Sequence, residues 1–271
     1  MFMRLSFLIV AAGFLTGSAR AAEPKPPTDE ELKAAHARVT DYLKAVEGAD
    51  AARVTPLAGD GLFATFPDHV LFAVMFPQYP VARLAPAPFA PSNVVAVLKK
   101  DGKPVLIPSA KELEAFFKAS ARPVKTEVEA EEALKAFLRA SAELSQDGFY
   151  KFTVKTDDKP KVDGGAVTGS GRAVVAPEGG NKGEITAALA FKDGKLTAAE
   201  TKVNVTPGIR PRCQATKLLD TDPIVREMAE QSIRVMGSAA KPYLDEQRAK
   251  ASPELQKAID RVWARIVAEG R

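Results

Sequence analysis

The chain has a single cysteine, Cys213, only two histidines, His36 and His69, and one tryptophan. One thiol cannot close an intrachain disulfide, so packing alone has to hold the fold. There is no HExxH stretch, no pair of cysteines and no EF-hand loop, so no metal and no other cofactor is expected. The net charge is only +4 over 271 residues and the basic residues are not clustered, which argues against a nucleic-acid partner. Beyond the first twenty-one residues the longest apolar run, Val70 to Phe76, is strand-sized and too short to span a membrane.

What is present begins with an address. Arg4 supplies a positive start, Leu5 to Leu15 is almost wholly apolar, and Ala19-Arg20-Ala21 offers a small-x-small cleavage site. This order reads as a secretory signal peptide over residues 1–21, so the mature chain is expected to begin near Ala22 and to be periplasmic or extracellular. Arg4 and Arg20 would leave with it, taking the net charge to about +2. Hydrophobic residues at 46% and charged residues at 27% are ordinary for a globular chain, and the remaining length suffices for one large or two smaller cores. Cys213 lies far from the cleavage site and reads as a small buried apolar residue; an intermolecular disulfide is the rival.

The periodicities predict an α+β protein in two stretches, residues 22–125 and 126–206. Thr28 and Glu31 form a capping box ahead of a helix over 29–47, whose Leu32, Val39, Tyr42, Leu43 and Val46 share a face. Val70–Phe76 reads as a buried strand, and Lys100-Asp101-Gly102-Lys103 as a hairpin turn between Asn93–Leu98 and Pro104–Ile107. Ser109 and Glu112 suggest a second capping box before a helix bearing Leu113, Phe116 and Phe117. Thr126 and Glu129 suggest a third, opening a helix with Ala130, Leu134, Phe137, Leu138, Ser141 and Leu144 on one face. Four strand-like segments follow, Phe149–Lys155, Ala166–Val175, Glu184–Phe191 and Leu196–Val205. A helix laid across a four-stranded antiparallel meander accounts for 126–206, a layout shared by cystatin-like and nuclear-transport-factor-like folds.

Residues 207–215, with Pro207-Gly208 and Pro211, read as a connection to a helical end over 216–271. Asp222-Pro223 starts one helix, with Val225, Met228, Ser232 and Val235 facing one way and Gly237 ending it. A helix through Pro242-Tyr243-Leu244 follows, then one capped by Ser252-Pro253 with Leu255, Ile259, Val262, Trp263 and Ile266 in a stripe. Asp222, Val225-Arg226, Ala229, Ile233, Met236-Gly237, Ala240 and Pro242-Tyr243-Leu244 resemble the HEAT-repeat pattern over about residues 216–268. That resemblance implies antiparallel helices and protein-binding surfaces rather than catalysis. Only one repeat and a following helix are present, and such units normally stack at least in threes, so this one has to dock on the α+β part. The whole chain is similar to exported bacterial proteins that join an α+β region to such a tail, a likeness that implies no activity.

Candidate chemistry is sparse. Asp68-His69 could orient a general base, but the sequence places no nucleophile beside it. Glu127, Glu129, Glu131 and Glu132 sit in the first turns of a helix, where negative charge favours the dipole. Gly164-Gly165 and Gly169-Ser170-Gly171 lack the spacing of a phosphate loop and suit bends inside strands. The candidate binding residues are Tyr79 and Arg83, on a proline-stiffened loop, and Arg210 and Arg212, which flank Pro211 at the joint. The leading expectation is a non-catalytic exported protein that binds or scaffolds another envelope protein. The alternatives are a small-ligand carrier with a pocket lined by Phe137, Phe149 and Phe152, and a hydrolase built on His69 and Asp68.

Overall fold

The computed structural model describes residues 25–59, 61–78, 84–177, 180–208, 210 and 215–270. The expected signal peptide, Tyr79, Arg83, Arg212 and Cys213 lie outside the described residues. The fold is α+β, with two antiparallel sheets and a helical C-terminal end. Sheet one has the order β1 (Arg53–Pro56), β2 (His69–Met75), β3 (Ser92–Leu98) and β4 (Val105–Ile107). Sheet two orders β5 (Phe152–Thr156), β7 (Ala166–Val175), β8 (Lys182–Lys192) and β9 (Lys195–Thr206), while β6 (Lys161–Asp163) also pairs with β7. Thus the expected meander of four strands has a fifth, carried by the short return of the chain after β5.

Sheet one is covered on both faces, which explains why β2 and β3 read as continuous apolar runs. In the register Phe72 opposite Val95 and Val70 opposite Val97, these side chains meet α1 (Asp29–Lys44) at Ala35, Val39 and Leu43. The alternate residues Leu71, Ala73, Val94 and Ala96 point the other way, into a core shared with sheet two. Helix α1 is shorter than the predicted 29–47; a turn follows it, with Gly48 at φ +79°. Its Thr28–Glu31 capping box is present.

Between the sheets lies α4 (Glu127–Leu144), opened by the Thr126–Glu129 capping box. The sequence shows one apolar face, yet Ala133, Ala136 and Ala140 are buried as well as Leu134, Phe137 and Leu138. The difference arises because α4 contacts β3 of sheet one as well as β5, β7 and β8 of sheet two. Alanine, ambiguous as a core residue in sequence, lets backbone layers approach. Helix α2 (Leu62–Thr65) and helix α3 (Ala110–Ser120) pack against α4. Phe66, Phe117 and Phe137 link all three, with ring centroids 4.7 and 5.0 Å apart. Ser109 caps α3 by accepting from the Lys111 amide and bonds the Glu112 carboxyl, without the reciprocal bond of a full capping box.

Glycine makes the approach of α4 to sheet two possible. Gly171 faces inward on β7, where a Cβ would sit 2.7 Å from the Lys155 carbonyl and 3.1 Å from Leu138 Cδ1. The Asp193-Gly194 turn joins β8 to β9 with both residues at positive φ, 52° and 80°, as a two-residue hairpin turn requires.

The helical end comprises a 3-10 turn (Ala215–Leu219), α5 (Pro223–Val235), a short helical turn (Gly237–Ala240) that runs into α6 (Lys241–Ala249), and α7 (Pro253–Ala268). Asp222 and Ser252 cap α5 and α7 as expected. Ala229, Ile233, Met236, Ala240, Tyr243 and Leu244 form a core with Leu255, Ile259, Val262 and Ile266. No helix among the described residues is long and apolar enough to cross a membrane.

Substituting Gly171→Val is expected to lower stability by about 1–3 kcal/mol, because the helix cannot retreat from the strand without opening the core. Ser170→Val, on the exposed face of the same strand, should stay within about 0.5 kcal/mol. Thermal or urea unfolding of the two variants measures the contrast.

Candidate functional site

Two regions gather the side chains that bear on function, the joint between body and tail and the outer face of α5. The joint is built on the end of α4. Gly148, at φ +96°, turns the chain, and Asp147 Oδ1 accepts from the Phe149 amide at 3.0 Å. Arg210 then reaches the same carboxylate, with Nε and Nη2 each 2.7 Å from Asp147 Oδ2. Its guanidinium lies 4.9 Å from the Phe149 ring centroid and 5.1 Å from that of Tyr150. A buried cation is held here by one carboxylate and two aromatic faces.

Asn181, fully buried, completes the fastening. Its Nδ2 donates to the Phe149 carbonyl at 3.1 Å, and its Oδ1 accepts from the Gly208 amide at 3.0 Å. On the tail side Phe149 joins the helical core, the Tyr243 hydroxyl accepts from the Ala215 amide, and Glu246 pairs with Arg53 of β1 at 3.1 Å. The crevice left between these groups measures about 20 Å³, room for one water and no ligand. Arg210 is therefore a structural clamp, gripping a carboxylate at the joint.

The outer face of α5 differs from the sequence reading. The sequence places Val225, Met228, Ser232 and Val235 on one face, but the helix buries Ala229 and Ile233, with Met236 just beyond it. Helix α5 carries apolar residues on two faces, and docking of α7 and the 3-10 turn selects the one with small Ala229, which permits close approach. Consequently Ile224, Met228 and Val235 stand 66%, 62% and 44% exposed along the helix. Beside them runs a groove of about 550 Å³ between α5 and α7, lined by Arg226, Arg234, Arg261 and Arg265 with Glu227 and Glu230. Arg265 pairs with Glu230, Arg234 pairs with Glu269, and Arg226 Nη1 donates to the Asp220 carbonyl at 2.6 Å. Among the described residues neither Arg261 nor Glu227 makes an ion pair, so the groove carries unpaired charge of both signs. Sequence reasoning missed Ile224 altogether; the available signal was the surplus of apolar positions on α5 over what one face can hold.

The other candidates separate. Phe137 and Phe152 belong with the main core, whereas Phe149 packs with the helical tail, so the three line no common pocket. Glu129 completes its capping box, Glu131 pairs with Lys135 and Glu132 with Arg122, which leaves none of these three poised as an acid–base pair. His69 lies edge-on to Phe66 and Phe116, 6.4 and 5.3 Å between centroids, and its buried Nδ1 has no hydrogen-bond partner among the described residues. Neither a family model, nor a curated protein, nor a solved structure matches this chain. Its function has to be read from its own surfaces.

Arg210→Ala is expected to cost about 3 kcal/mol, since it leaves the Asp147 carboxylate without its counter-charge at a nearly dry joint. Trp263, on α7, should then report melting of the tail by fluorescence before far-UV dichroism reports loss of the body. A second expectation concerns pH. Burial holds the His69 imidazole below its usual range, outweighing the opposite pull of Asp68. The unfolded chain then takes up a proton that the folded chain resists as pH falls through about 6.5, so this contribution is complete above that value and declines on acidification. His69→Phe should therefore lose less stability than the native chain between about pH 7 and pH 5, measured by thermal unfolding.

Proposed function

We propose that this chain is exported and acts without catalysis, binding another protein at the cell envelope through the uncovered face of α5. The observation that carries this reading is the apolar row Ile224, Met228 and Val235, left in solvent beside an arginine-bearing groove. Single exposed apolar residues are ordinary, but a row on one helix matches the way an amphipathic segment is gripped. Counting Glu269, which pairs with Arg234, four arginines face three glutamates at the groove, a small positive excess that favours an apolar partner segment with carboxylates along its border.

The resemblance of residues 216–268 to a HEAT-repeat unit supports the same reading. Units of that kind bury a second face against a neighbouring repeat, and here that neighbour would be supplied by another protein. The joint contributes by tying the tail to the body through the Arg210–Asp147 pair, which limits the freedom lost on binding.

A pull-down from envelope extract with residues 22–271 tests the proposal. The native chain is expected to retain a discrete partner. Met228→Glu and Val235→Glu should each cut retention about tenfold or more, because one buried apolar side chain contributes about 1.5–3 kcal/mol. Their unfolding temperatures should barely change, the sites being exposed. Equal retention by native and variant chains would contradict the proposal, as would turnover of an envelope substrate abolished by a single substitution.

A further inference from the structure

The edges of the two sheets are not alike. β1 and β4, the edges of sheet one, have four and three residues, and β5 and β6 have five and three. β9 runs for twelve residues, has no proline, and has no strand on its outer side among the described residues. The irregularity in its pairing falls at Ala190/Phe191, near its beginning, so the rest of the edge is regular. Long, regular, unpaired edges are what proteins normally avoid, since the free amides and carbonyls template another strand.

Side chains along β9 point to a specific occupant. Ala199, Thr201 and Val203 pair with Leu189, Ala187 and Ile185 and share their core-facing side, yet Val203 is 59% exposed. Glu200 and Lys202 lie on the opposite, solvent side of the strand. We propose that β9 pairs antiparallel with β9 of a second copy of this chain, about a two-fold axis at Thr201, joining two five-stranded sheets into one.

Charge selects that register. Core-facing residues stay opposite core-facing residues only if the axis passes through a paired position. An axis at position 200 sets Glu200 against Glu200, and one at 202 sets Lys202 against Lys202. The axis at Thr201 sets Glu200 against Lys202 of the second copy, twice by symmetry, and Thr201 against its own counterpart; both are favourable cross-strand pairs. It also lays Val203 against Ala199 of the second copy, covering the exposed side chain. Pro207, lacking an amide hydrogen, ends the pairing just beyond Thr206. This surface is distinct from α5, so either proposal can fail without the other.

Sedimentation equilibrium of the purified protein tests the pairing. A concentration-dependent dimer is expected. Glu200→Lys and Lys202→Glu should each weaken it about tenfold by setting like charges opposite one another, and the two together should restore it. Both positions are exposed, so unfolding temperature should confirm that each variant is folded. A monomer at every concentration up to about 100 µM overturns the proposal, because a β-paired interface of this length should associate by then. A dimer unaffected by either single substitution overturns it equally, since it must use another surface.

Discussion

The structure depends on α4 lying between two sheets. With no disulfide available, the chain has to bury enough apolar surface to hold its fold, and one helix facing two sheets lets both halves of the body share a single core. That arrangement dictates local chemistry. It needs alanines where α4 is flanked on more than one side and a glycine where Leu134 and Leu138 meet β7. Of the glycines that resemble a phosphate loop at first sight, Gly169 and Gly171 face leucines of α4, whereas Gly164 and Gly165 turn the chain between β6 and β7.

The end of the same helix determines where the tail can sit. Asp147 closes the turn after α4 and anchors Arg210, while Phe149 leaves the body to enter the core of the tail. Packing in the body is thereby carried through the joint to α5, whose orientation toward solvent follows from the face that α7 and the 3-10 turn occupy. The clamp combines an ion pair with ring contacts at a site with little free volume, an arrangement suited to fixing geometry more than to adding net stability.

Much of this was legible in the residues. The Thr28 and Thr126 capping boxes and the Asp222-Pro223 start each act over a few residues, and each is found where its spacing places it. The long-range choices were hidden. Alanines on α4 gave no sign of a second sheet, and β6 was too short and polar to announce itself. On α5 the pattern contained two apolar faces, and only the position of α7 decides which is buried. Arg210, a candidate binding residue in the sequence, grips Asp147, which lies 63 positions away, and no local rule connects the two. The face that stays in solvent is therefore not the one a shared apolar stripe suggests.

The proposed role of this chain rests on the outer face of α5 meeting a protein partner. A photo-crosslinking amino acid placed at Met228 in intact cells interrogates it most directly, with the same probe at Ser170, on the open face of sheet two, for comparison. A discrete adduct at position 228 that is missing at position 170 is the predicted result. No adduct at 228, or the same adducts at both positions, would contradict the claim.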